Sequence, residues 1–134
     1  MKLHELAPEA VKGTVLHGTG VEHDIEVDVS FAWQPRATAP LIRAFVNEVE
    51  ATEPGGPHKG LISAIELMVG QKRASMKKKA LCGLVAVVHV RVPHPRYDGA
   101  RLEDDATRLA VRNVVTRTIN EAPGWWSSLH EAMR

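Results

Sequence analysis

The amino-acid sequence predicts an α+β fold, a two-layer, split βαβ-like sandwich in which helices cover one face of a four-stranded mixed sheet. Apolar side chains alternate with polar ones over residues 25–33, which is the period of a half-buried strand. Residues 84–92 are rich in valine between a glycine and a proline, and this pattern indicates a strand buried on both faces at the centre of the sheet. Residues 41–49 fit both a helix stripe and a strand face, so their pattern alone leaves both open.

Two helices complete the predicted order of strand, strand, strand, helix, strand, helix. The Glu-Pro-Gly-Gly-Pro cluster at 53–57 is the strongest breaker, and helical spacing of apolar residues follows it over about 58–73. A second amphipathic helix spans 109–119, with two aspartates before it that suit the positive end of its dipole. The Pro-Gly pair at 123–124 ends that helix, and we expect a helical tail over 122–134.

The size and composition indicate one soluble domain over residues 1–134. A chain of 134 residues with 44% hydrophobic and 25% charged residues can bury one core, which excludes a complete multi-step motor or a large synthase. A single cysteine, Cys82, excludes an internal disulfide and a cysteine-rich zinc cluster. No signal-peptide core precedes the domain, and no apolar run approaches the roughly twenty residues of a membrane span. These features predict a cytoplasmic protein without a membrane partner.

The formal net charge of +1 conceals a strong asymmetry along the chain. Up to Glu66 there are five Lys and Arg against ten Asp and Glu, whereas after it there are twelve against six. No acid lies between Glu66 and Asp98. Clustered cations of this kind indicate contact with phosphates, although a solvated helix end is the simpler alternative for the lysine triplet. The candidate DNA-backbone contacts are Lys72, Arg73, Lys77, Lys78, Lys79, Arg91 and Arg96.

Other patterns predict little chemistry. No pair of the seven histidines has the helical spacing of a zinc site, so we expect neither a metal nor another cofactor. Cys82 lacks a recognisable base, and Gly13 and the Thr19-Gly20 pair indicate turns rather than a phosphate loop. Trp125 and Trp126 are candidate partner contacts, because adjacent residues of a helix cannot both face one core.

Several motifs resemble the B subunits of bacterial DNA gyrase and topoisomerase IV. Residues 83–97 read Gly-Leu-Val-Ala-Val-Val-His-Val-Arg-Val-Pro-His-Pro-Arg-Tyr, similar to that family's Gly-Leu-x-Ala-Val-x-Ser-Val-Lys-x-Pro-Asp-Pro-x-Phe. The Gly-Gly-Pro-His segment with Gly-Leu shortly after it, over 55–61, resembles the family's Gly-Gly-Thr-His-x-x-Gly-Phe, one residue shorter. Residues 25–33 and 45–47 resemble its Val-Glu-Val-Ala-x-x-Trp and Phe-x-Asn strands. The similarity covers about 15–115.

In that family the region is the transducer, the second domain of the ATPase segment. The resemblance implies a transducer-like fold with residues 41–49 as a strand. It also implies a role in relaying the ATP state to the DNA gate, with a basic surface facing DNA. After the Pro-x-Pro segment, however, the family's Gln-Thr-Lys loop, whose lysine senses the terminal phosphate, is missing. No nucleotide-sensing residue is therefore assigned, and Arg101, beside acidic residues, is the sole candidate substitute in the replacing segment that includes Ala100, Arg101 and Leu102.

We therefore expect a free-standing, non-catalytic module that binds the DNA backbone, a topoisomerase subunit, or both, and that neither hydrolyses ATP nor cuts DNA by itself. One alternative is a part of a split ATP-dependent type IIA topoisomerase. A second is an interaction domain that docks through the tryptophan pair, on a partner or on a second copy as a homodimer. A degenerate remnant without activity is the third.

Overall fold

A five-stranded sheet with helices on both faces forms the body of the protein. The computed structural model describes residues 1–6, 15–34, 39–98, 101–102 and 105–133. The strands are β1 (Leu16–Glu22), β2 (Ile25–Trp33), β3 (Leu41–Val46), β4 (Val49–Glu50), β5 (Leu84–Arg91), β6 (Tyr97–Asp98) and β7 (Arg101–Leu102). The helices are α1 (Leu3–Leu6), α2 (Gly56–Lys72), α3 (Lys77–Gly83), α4 (Asp105–Asn120) and α5 (Trp125–Ala132), with a 3₁₀ turn over Ala74–Met76.

The strand order is β1-β2-β5-β3-β4, with β6 and β7 as a separate hairpin. The valine-rich β5 lies at the centre, antiparallel to β2 and parallel to β3, so the predicted mixed α+β sheet and its central strand are confirmed. The predicted strand number is wrong by one. The fifth strand is the two-residue β4, which turns back on β3, and two residues carry too little pattern to be recognised in a sequence.

The ambiguous segment 41–49 is a strand followed by a tight turn. β3 ends at Val46, and Asn47 and Glu48 then have φ of 50° and 71°. Asn47 fastens this turn to the end of β5: its backbone N–H donates to Val90 O at 2.9 Å, its side-chain Nδ2 donates to Val92 O at 3.0 Å, and its Oδ1 accepts from Val92 N at 2.8 Å. One side chain therefore sets the position of the hairpin on the central strand.

The main core lies between the sheet and the helices α2 and α4. In β2, the alternate residues from Ile25 to Trp33 face this core, as their period predicts. α2 and α4 contact each other closely at Gly60, whose missing side chain leaves room for the carbonyl of Arg108 and for Val111. Among the described helices, none is both long and apolar enough to span a membrane.

The long helices α2 and α4 pack on one face as predicted, and the one-turn helix α1 adds a contact on the opposite face. Leu3 is buried there against Ala32, Val85 and Val87. A four-residue helix separated from its neighbours carries no helical period, and this explains why the sequence did not indicate it. The same face includes Phe45, which packs against this cluster, and a contact between His17 and Asp28 at 3.0 Å.

β1 also differs from the sequence expectation, since the Thr19-Gly20 pair lies within a strand rather than a turn. The turn comes after it, at His23 and Asp24, both with positive φ. Gly18 and Gly20 point toward α4, where a side chain on either would overlap α4 side chains such as Thr118. Glycines therefore replace the apolar residues that would have marked β1 as a strand.

Candidate nucleic-acid interface

Five cations lie together where α2 turns into α3. We call Lys72, Arg73, Lys77, Lys78 and Lys79 the basic end. Lys72 ends α2, Arg73 is extended, and the 3₁₀ turn then leads directly to the three lysines in the first turn of α3. All are exposed except Lys77, which is half-buried with its aliphatic stem beside Gly70. Among the described residues, none of the ion pairs involves a member of the basic end.

The three lysines are also unfavourably placed for the stability of their own helix. The N-terminal end of a helix carries a partial positive charge, which attracts carboxylates and repels cations. The first turn of α3 contains no acid, and Met76 caps it without a side-chain hydrogen bond. The helix dipole therefore does not favour the lysine triplet at this position.

The structure separates Arg91 from the basic end, so the seven predicted contacts do not form one continuous surface. Arg91 ends β5, the strand that begins directly after α3, and eight residues of strand span about 25 Å. At that distance Arg91 pairs with Glu26 at 3.4 Å and with Glu48 at 3.3 Å. Arg96 is exposed in the segment that follows. Arg91 is close to the lysine triplet in sequence, but the whole length of β5 lies between them in space.

The two tryptophans have different environments. Trp125 is 8% exposed and belongs to the main core, so it offers no surface to a partner. Trp126 is half-buried at the rim, with its ring edge-on to Trp125 at 5.6 Å and to His130 at 4.9 Å. A docking role for the pair thus reduces to Trp126.

His58, in the first turn of α2, is a partly buried titratable group. Burial lowers the pKa of its imidazole, and a hydrogen bond to the backbone of Ile42 partly opposes this effect. Its Nδ1 is buried without a hydrogen-bond partner. This environment could not be predicted from the sequence, because a histidine after a Gly-Gly-Pro turn is equally compatible with exposure.

A pH dependence of stability follows from His58. Because the folded-state pKa lies below the ordinary 6.5, protonation favours the unfolded chain. We expect the free energy of unfolding to fall as pH drops below about 6.5 and to level off once pH is below the folded-state pKa. In urea denaturation at several pH values, His58→Gln should lose less stability on acidification than the unmodified protein. His94→Gln, at an exposed position, is the matched control; equal slopes for the two variants would contradict the assignment.

The family of the chain follows from comparison with known proteins. A family profile described as DNA gyrase B matches residues 3–122. The chain belongs to the DNA gyrase B family. Among curated gyrase B subunits, that of Synechocystis is 24% identical over 120 residues, which is 81% of this chain and 11% of the relative. The chloroplastic/mitochondrial subunit of Nicotiana benthamiana is 26% identical over 121 residues, 79% of this chain and 16% of that relative. This gyrase B-family chain thus spans a small part of the relatives it matches.

Solved structures of the family share the fold. The 43K ATPase domain of Thermus thermophilus gyrase B superposes with a TM-score of 0.78 at 22% identity, over 96% of this chain and 42% of that one. The gyrase B subunit of Myxococcus xanthus gives a TM-score of 0.66 at 19% identity, over 96% and 41%. The topoisomerase IV ATP-binding domain of Francisella tularensis gives 0.62 at 19%, over 96% and 39%.

These comparisons confirm the gyrase B resemblance, but they do not show which domain of the family this chain corresponds to. The most extensive superposition described above is with an ATPase domain, not with a structure described as a transducer domain. The superposition covers less than half of that ATPase domain, so it does not carry the domain's activity to this chain. The transducer assignment is taken up below as a proposal.

The segment that replaces the family's Gln-Thr-Lys loop is only partly described. Arg101 and Leu102 form β7, which pairs with β6. Their side chains, and all of Ala100, lie outside the described residues, so the question of a substitute cation at Arg101 stays a sequence prediction. Within the described ranges, no three His, Cys, Asp or Glu side chains are grouped as metal ligands would be. Cys82 is half-buried in α3.

Proposed function

We propose that this gyrase B-family chain corresponds to the transducer part of the family's ATPase segment and acts without catalysis, by contacting the DNA backbone through the basic end. The observation that carries the proposal is the grouping of five cations, unpaired among the described residues, at one end of the fold. The motif order, and a fold match limited to 42% of an ATPase domain, support the transducer assignment. Lysines act here as point charges toward phosphates rather than as readers of bases.

The proposal predicts salt-dependent binding that is independent of base sequence. If all five cations contact phosphates, a plot of the log of the binding constant against the log of the salt concentration has a slope of about −4.5, and fewer contacts give a shallower slope. Neutralising Lys77, Lys78 and Lys79 to Gln should reduce the magnitude of that slope by about 2.7 and lower the affinity at low salt strongly. Fluorescence anisotropy with a labelled, mixed-sequence duplex over a salt series measures both quantities.

The matched control neutralises three arginines that lie outside the basic end. Arg91, Arg96 and Arg112, each replaced by Gln, change the net charge by the same amount and should leave most of the binding intact. The test variant should remain folded for two reasons. Lysine and glutamine have similar helix propensities. Removing the three cations also removes their repulsion by the positive end of the α3 dipole. Absence of binding at low salt, or equal losses in both variants, would contradict the proposal.

A second candidate function is that of one part of a split ATP-dependent topoisomerase, with a topoisomerase subunit as partner. The chain spans 11% and 16% of the curated gyrase B subunits, so the residues of this sequence match only a small part of such an enzyme. Regained ATP-dependent supercoiling on mixing this chain with a separately produced nucleotide-binding domain and cleavage subunits would favour this candidate. Unchanged activity on omission of the chain would exclude it.

A further inference from the structure

β1 is an edge strand whose outer side is unusually open. It pairs along all seven of its residues with β2 and is the first strand in the sheet order, and no strand of the described residues lies on its other side. Long edge strands are usually blocked by proline, lysine or a bulge, because their free N–H and C=O groups accept another strand. β1 contains neither proline nor lysine. Its outer edge is therefore competent for strand addition.

A hydrogen bond from α4 shows which backbone groups of β1 face outward. Arg117 Nη2 donates to the carbonyl oxygen of Thr19 at 3.0 Å. A carbonyl that accepts from outside the sheet points away from β2, and in an antiparallel pair the same residue's N–H points the same way. By the alternation of the ladder, the backbone groups of His17 and Val21 face outward too. These three residues alternate along β1, which is the spacing at which a strand forms hydrogen bonds with one neighbour.

A groove of about 440 Å³ runs along this edge, with β1 on one side and the end of α4 on the other. The second wall is formed by Arg117 and Thr118 of α4 and by Glu121, which follows the helix. α4 approaches β1 this closely because Gly18 and Gly20 have no side chains to hold it away. An edge strand beside a helix is the arrangement in which extended peptides bind by adding a strand to a sheet.

We propose that this groove binds an extended, acidic peptide segment of a partner protein as a sixth strand beside β1. The guanidinium of Arg117 is exposed, and among the described residues its one hydrogen bond is to Thr19 O, so it has donors left for a carboxylate. Glu22, the acid of β1 itself, already accepts a hydrogen bond from Asn113 at 2.8 Å. The described lining of the groove therefore contains one cation, Arg117, and one carboxylate, Glu121, and it is the position beside Thr19, where Arg117 lies, that is complementary to a central Glu or Asp of the peptide.

The same charge argues against a second copy of this chain as the occupant. Antiparallel pairing of two β1 edges about a twofold axis would place Thr19 opposite Thr19 and bring the two Arg117 side chains together. Like charges directly opposite each other on paired strands are destabilising. A heterologous acidic strand meets Arg117 without this repulsion.

Two blocked peptides of the length of β1 test the proposal. One has the sequence Thr-Val-Thr-Glu-Thr-Val-Thr, and the other carries Lys in place of the central Glu. In amide NMR spectra of the full chain, the Glu peptide should shift the signals of His17, Thr19 and Val21 and slow the exchange of their N–H groups. It should bind about tenfold more tightly than the Lys peptide, and Arg117→Glu should reverse that preference. Arg112→Glu, on the same helix but outside the groove, should preserve it.

A second variant separates strand addition from charge attraction. Thr19→Pro removes an N–H that faces away from β2, so the β1–β2 ladder should stay intact while both peptides lose binding. If neither peptide shifts these amides, or if Arg117→Glu leaves the preference unchanged, the proposal is wrong. If sedimentation shows a dimer of the unmodified chain that Thr19→Pro dissociates, the edge serves self-association and the proposal is likewise overturned.

Discussion

Replacing Gly60 with alanine should destabilise the protein by about 3 kcal/mol, the upper range for overpacking a core. A β-carbon at this position would collide with the backbone carbonyl of Arg108 and lie 3.1 Å from Val111 Cβ. A backbone carbonyl on a packed helix cannot rotate away as a side chain can, so α2 and α4 would have to separate. Urea denaturation with an unchanged m-value would show the loss as a lower midpoint.

The same helix contains the matched control. A β-carbon on Gly70 would meet only the Cδ of Lys77 at 3.2 Å, the middle of a flexible side chain that can move. Alanine is favoured over glycine within a helix by roughly 0.8–1.0 kcal/mol. Gly70→Ala should therefore leave stability unchanged or raise it. If the Gly60→Ala variant is as stable as the Gly70→Ala variant, the close contact between α2 and α4 at Gly60 does not contribute to the free energy of unfolding as proposed.

Asn47→Ala should cost about 3 kcal/mol, the second large effect. It removes both hydrogen bonds between this side chain and Val92, each worth roughly 0.5–1.5 kcal/mol. Alanine, like asparagine, has a β-carbon at the φ of 50°, so the expected loss comes from the two hydrogen bonds. Thermal and urea unfolding should both report the loss.

Two further variants at this position divide the effect into its parts. Asn47→Gly tolerates the positive φ and lacks the hydrogen bonds, so it should be more stable than Asn47→Ala by about 1 kcal/mol. Asn47→Asp retains the acceptor for Val92 N–H but loses the donor to Val92 O. If alanine and glycine are equally destabilising, backbone strain contributes nothing and the hydrogen bonds account for the whole loss.

The parts of the fold that the sequence predicted correctly are those in which one residue pattern determines the structure. The period-2 run of β2 and the valine-rich β5 were identified because their burial depends on side-chain alternation and hydrophobicity alone. β1 gave no such signal, since its inward positions are the glycines that α4 requires. Segment 41–49 was ambiguous because the strand ends at Val46 and a turn with positive φ follows inside the same apolar run.

The candidate site was predicted in composition but not in geometry. The lysine triplet and its two preceding cations are contiguous in sequence and therefore stay together in the fold. Arg91 is separated from them by the length of a central strand, and its acidic partners come from β2 and the β3–β4 turn, which sequence distance cannot reveal. Arg117 was missed because its significance depends on a carbonyl of β1 that lies 98 residues away.

The first turn of α3 also links the folding of this helix to what it touches. Three adjacent cations at the positive end of the helix dipole make that turn the part of the helix that its own charges least favour. Any polyanion that neutralises them removes the repulsion and stabilises the helix at the same time. Because Ala80 and Gly83 of α3 are buried, and Ala80 O accepts a hydrogen bond from Trp33 Nε1 at 3.1 Å, that gain is passed directly to the core. Neutralisation of the basic end would therefore also stabilise the contact between α3 and Trp33.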